Sequence, residues 1–84
     1  MIILVDDIKL NNEEEFFVYI NTLIEDAEID SFDTLREYLL STDKPTELII
    51  SDIDEVKNKR FAEDIKMLFE GVSTANSKIT FSLM

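Results

Sequence analysis

The chain contains no cysteine, no histidine and no tryptophan, and only one glycine and one proline among 84 residues. Without cysteine, disulfides and thiolate metal sites are excluded. Without histidine, the commonest general base, the commonest metal ligand and the usual partner of a catalytic serine or cysteine are missing. A single glycine cannot build a phosphate-cradling loop. Basic residues are scarce too: 8 Lys and Arg stand against 19 Asp and Glu, a formal net charge of −11. Such a field repels nucleic acid and anionic membranes, and it speeds encounter with basic proteins. The opening apolar run, Met1–Val5, follows no basic segment and is too short for a signal peptide or a membrane span. A cytoplasmic, non-enzymatic protein without a cofactor is therefore expected, although Ser/Lys and carboxylate chemistry stay formally possible.

What is present suits a small, regular fold. Six phenylalanines and few chain breakers argue against disorder. The length fits one domain with a modest core. No internal repeat or domain boundary is visible. The charge is unevenly placed. Residues 1–56 hold 16 acids and 3 bases, whereas residues 57–84 hold 3 acids and 5 bases.

Taken in order, Met1–Val5 is a β-branched apolar run that suits a strand buried on both faces of a parallel sheet. Asn12, with Glu15 three residues later, forms a helix-start signal. Phe16, Phe17, Ile20, Leu23, Ile24 and Ala27 then keep a helical period, so a first helix is predicted over about 12–26. A second helix follows, capped by Asp30 or Ser31 and running to about Ser41. Pro45 breaks it. Residues 47–53 contain the Leu-Ile-Ile of a second buried strand. Phe61, Ile65, Leu68, Phe69 and Val72 mark a third helix over about 57–75, weakened by Gly71, with an exit turn over 73–77. Residues 78–83 alternate apolar and polar, as in a half-buried edge strand. The predicted class is α/β: a three-stranded, mostly parallel sheet packed with about three helices in the order β-α-α-β-α-β.

The second helix is the most informative stretch. Phe32, Leu35 and Leu39 make one apolar stripe. Asp33 and Glu37, at i and i+4, lie on another face, with Asp30 one turn earlier. Like charges at this spacing cost an isolated helix ~0.2–0.5 kcal/mol. They form either an ordinary solvated face or a set of carboxylates presented to a positively charged partner. A second acidic group stands at the strand ends. Asp6, Asp7 and Asp52 all fall where parallel sheets gather functional residues. Three convergent carboxylates there could hold Mg²⁺; otherwise they only solubilise the strand ends.

Two family resemblances follow from these segments. A strand at Ile2–Asp7, a capped helix at Asn12–Ile24, the run Ser31-Phe32-Asp33-Thr34-Leu35-Arg36-Glu37 and a final helix and strand over Asp64–Met84 resemble the barstar-like family. These are small cytoplasmic inhibitors that protect bacteria from their own secreted ribonucleases. The run from Ser31 matches the family's second-helix signature in spacing, with a carboxylate at both acidic positions. The departures are local: Ala27, Glu28 and Ile29 stand where the family has a glycine and aromatics, Arg36 where it has a tryptophan, and Gly71 where its last helix has a glutamate. The resemblance implies a monomeric inhibitor or immunity protein whose helix-borne carboxylates enter the basic active site of a toxin, most often a ribonuclease. The partner-binding residues it suggests are Asp30, Asp33, Arg36, Glu37, Leu40 and Ser41. Leu4-Val5-Asp6-Asp7 and Leu48-Ile49-Ile50-Ser51-Asp52 also resemble strands of a response-regulator receiver domain. That resemblance would make Asp6 and Asp7 Mg²⁺ ligands and Asp52 a phosphoryl acceptor. It lacks the Met-Pro-Gly-rich loop expected after Asp52, and it ranks second. An acidic interaction domain unrelated to toxins is the third alternative.

Overall fold

The computed structural model describes residues 1–84. Three apolar segments become parallel strands: β1 (Ile2–Val5), β2 (Thr46–Ile50) and β3 (Ile79–Leu83). They lie side by side in the order β1-β2-β3, with Ile3, Leu48 and Phe81 in one cross-strand row and Val5, Ile50 and Leu83 in the next. The predicted α/β class with a parallel three-stranded sheet is what the structure shows, and both outer strands are edges.

Four α-helices connect the strands: α1 (Asp7–Leu10), α2 (Glu13–Leu23), α3 (Phe32–Ser41) and α4 (Lys59–Ala75). A short 3₁₀ turn, Ile53–Glu55, precedes α4. The single turn α1 was not anticipated. It forms because the Asp6 side chain accepts the Lys9 amide at 3.0 Å, and Leu10 anchors it in the core. Asn12 caps α2 as expected, accepting the Glu15 amide at 3.1 Å. The helix ends three residues early, at Leu23. Beyond it, Ile24 and Ile29 still enter the core, but from the non-helical connector. The exit turn predicted over 73–77 is helical as far as Ala75, where Asn76 takes over as C-cap. Gly71 does not interrupt α4. Its propensity cost of about 1 kcal/mol is small beside the burial of Phe61, Ile65, Leu68, Phe69 and Val72 along the same helix.

One expectation about the sheet is overturned. β1 is not buried on both faces: Ile3 and Val5 are sealed, whereas Ile2 is 60% and Leu4 44% exposed. The strand order explains this. When two successive crossovers turn the same way across β1-β2-β3, every helix falls on one face. The core therefore lies between that face and the helices. It holds Ile3, Val5, Leu48, Ile50 and Ile79 from the sheet with Leu10, Phe16, Ile20, Leu35, Leu39, Ile65 and Phe69 from the helices. The bare face shows Ile2, Leu4, Glu47, Ile49, Thr80 and Ser82.

Candidate functional site

The acidic helix α3 is held at both ends. At its start the Ser31 hydroxyl accepts the Thr34 amide at 3.2 Å, and the Thr34 hydroxyl accepts the Ser31 amide at 3.1 Å. This reciprocal pair satisfies two of the donors that a helix start leaves free. Leu35 and Leu39 are fully buried beneath the helix. Phe32 packs edge-to-face on Phe17 and Phe61, with ring centres 6.1 and 5.6 Å away. At the far end, the Asn76 amide donates to the Leu39 and Thr42 carbonyls, each at 2.9 Å. The helix backbone is therefore anchored at both ends and along its buried face, which sets the positions from which its outward residues project.

The six partner-binding candidates occupy three strips of this helix. Arg36 and Leu40 lie on the flank turned towards α4. Asp33 and Glu37 form the exposed ridge beside them. Asp30 stands exposed before the N-cap, with its carboxylate 3.3 Å from the Thr34 hydroxyl. Ser41 is exposed on the third strip, where its hydroxyl donates to the Glu37 carbonyl at 2.8 Å. That bond turns the Ser41 donor back on its own helix. Neither Asp33 nor Glu37 is in a salt bridge. The ion pairs of the molecule are Lys44–Asp26 at 3.3 Å and Lys66–Glu70 at 3.9 Å. The ridge thus carries uncompensated negative charge.

Arg36 and Leu40 face a groove of ≈ 490 Å³ between α3 and α4. Phe32 lies on the α3 side; Asp64, Met67, Leu68, Gly71 and Val72 line the α4 side. Reading the sequence missed the α4 wall. Two signals pointed to it: Met67 is apolar yet off the buried stripe of its helix, and Gly71 is the only glycine of the chain.

The acids at the strand ends do not assemble. No group of three or more acidic side chains is positioned to hold a metal ion. Asp6 is engaged as the N-cap of α1, and Asp7 is the first residue of that turn. Asp52 follows β2 in a left-handed conformation, with φ 57°, and starts the 3₁₀ turn. Aspartate tolerates this backbone better than most residues. The Mg²⁺ cluster that a receiver-like reading needs from Asp6, Asp7 and Asp52 is not formed. Comparison with protein-family models, with curated proteins and with solved structures gave no match to this chain.

Proposed function

We propose that the chain is a non-enzymatic, barstar-like inhibitor or immunity protein that occludes the active site of a basic toxin, best fitted by a bacterial ribonuclease. The observation that carries this reading is the ridge of α3: Asp33 and Glu37, exposed, without ion-pair partners, on a helix fixed by its caps and its buried face. An active site that binds a phosphodiester backbone is lined by Arg and Lys. Two carboxylates one helical turn apart can take the place of its phosphates. Preorganisation matters here, because the capped and packed backbone of α3 needs no ordering on binding and only the exposed side chains lose rotamer freedom.

The reading is tested by capture from the source lysate and culture medium, followed by inhibition assays on any retained nuclease. Wild type should retain a small basic toxin and block it stoichiometrically. The Asp33→Ala/Glu37→Ala variant should keep its fold and lose about 2–5 kcal/mol of binding for each carboxylate that pairs with a desolvated cation. Rising salt should slow association, because encounter is steered by charge. An undiminished double variant would place the interface elsewhere on the molecule.

A further inference from the structure

The groove between α3 and α4 has the features of a binding site beyond the acidic ridge. Its two walls carry large apolar side chains that the fold leaves in water: Leu40 is 44% and Met67 62% exposed. Both face the same trough, where Phe32, Leu68 and Val72 continue the apolar lining. Gly71 sits in that lining. Apart from its chain neighbours and the adjoining backbone of its own helix, no atom lies within 4 Å of the position a β-carbon would take there. Nothing inside the molecule therefore requires a glycine, and a glycine weakens the helix that holds it. A second backbone approaching α4 closely does require one, because a side chain would hold it off.

The shape and the charge of the groove define its occupant. The two helices run side by side in the same direction. Their starts meet at Phe32 and Phe61, and their ends are joined through Asn76. Phe32 to Leu40 on one wall and Asp64 to Val72 on the other each cover about two turns, roughly 12 Å. That length fits apolar anchors at i, i+3 or i+4, and i+7 of an inserted helix. The flanks are acidic: Asp33 and Glu37 on α3, Glu63 and Asp64 on α4, all exposed. Two bases interrupt this acid: Arg36 lines the groove midway along its α3 wall and Arg60 lies at the start of α4, so four carboxylates stand against two guanidinium groups. A second copy of the chain would set acidic flank against acidic flank and add another −11 charge. We infer that the α3–α4 groove is a docking site for a basic amphipathic helix of a partner protein, with its apolar face over Gly71 and its Lys and Arg residues against the flanking carboxylates. The inference shares the ridge of Asp33 and Glu37 with the inhibitor reading, but it needs no ribonuclease.

The test uses the intact chain and a labelled helical peptide of about 15 residues, with leucines at i, i+3, i+4 and i+7 and lysines elsewhere. A scrambled peptide of the same composition is the control. Anisotropy gives affinity and NMR locates the peptide. The ordered peptide should shift the Gly71 amide and the Leu40 and Met67 methyl signals, and should bind more tightly than the scramble. Gly71→Leu fills the notch and improves helix propensity. Its melting temperature should hold or rise while peptide affinity falls about tenfold or more. Met67→Lys, at an exposed position, should weaken the same peptide without unfolding the protein. Equal affinity for the scramble, shifts that spare Gly71 and Leu40, a Gly71→Leu variant that binds like wild type, or no binding at millimolar peptide would each overturn the inference. A captured nuclease still inhibited by Gly71→Leu but not by Asp33→Ala/Glu37→Ala would leave the toxin reading standing alone. Peptide docking without any nuclease inhibition would do the reverse.

Discussion

Three asparagines tie together parts of the chain that are distant in sequence. Asn21 accepts the Ile29 amide at 2.8 Å and donates to the Ile29 carbonyl, which holds the connector between α2 and α3 against α2. Asn76 satisfies carbonyls at the end of α3 that the helix itself leaves free. Asn11 accepts the amides of Lys57 and Asn58 at 2.6 and 3.3 Å, joining the end of α1 to the approach to α4. Asn21→Ala would strand both polar groups of the buried Ile29 backbone, so it should cost about 1–3 kcal/mol in urea unfolding, and more than Asn12→Ala at an exposed cap. None of these roles was legible in the sequence, because an asparagine's partners are set by which backbone the fold brings near it. At the same scale, Lys44 donates to Asp26 and holds that carboxyl below the usual carboxylate range. A depressed folded pKa stabilises at neutral pH, and the contribution is lost as pH falls through that lowered value. Lys44→Ala should return the Asp26 carboxyl towards its ordinary range in a ¹³C titration. It should change stability little, because the pair is solvent-exposed.

At the scale of elements, the sheet and α4 respond to substitution according to the face involved. Ile3 and Leu4 are adjacent on β1, yet one is sealed and the other half in water. Ile3→Ala should cost about 2–4 kcal/mol, whereas Leu4→Thr should stay within about 0.5 kcal/mol. Comparable losses at both positions would mean that the bare sheet face is covered in solution. On α4, Gly71→Ala should add about 0.5–1 kcal/mol, since the open space above it accepts a methyl group. The existence of these elements was readable from periodicity. The length of α2 was not: Ile24 and Ala27 keep its spacing, but the chain leaves the helix after Leu23 and still packs Ile24 inside. Periodicity reports which residues are buried, and extended chain can bury them as well as a helix.

At the scale of the whole molecule, charge and core oppose one another. A net charge of −11 is carried on a fold whose extents are 33 × 23 × 19 Å, with the excess acid in residues 1–56, so carboxylates repel one another across that part of the surface. With two ion pairs to set against that repulsion, screening should help the native state. Raising NaCl from about 0.02 to about 0.5 M should increase the melting temperature, while it weakens any complex with a basic partner. A protein held together mainly by surface ion pairs would show the opposite trend in stability.

The sequence alone determined the class of fold, the three strand cores, the starts of α2 and α3 and the acidic character of α3; α4 begins two residues later than its periodicity suggested, behind an Asn58 cap. These follow from local pattern: apolar spacing, cap residues and the scarcity of chain breakers act within a few residues. It also carried both acidic groups, the ridge on α3 as the leading site and the acids at the strand ends as the alternative. The tertiary structure added how each group is placed. It left Asp33 and Glu37 free on a braced helix, turned Asp6 into a cap, and kept the strand-end acids from forming a metal cluster. It decided too that the sheet is covered on one face and that α4 supplies the second wall of the groove. Those outcomes depend on strand order and on contacts between residues tens of positions apart, which no local pattern of side chains encodes.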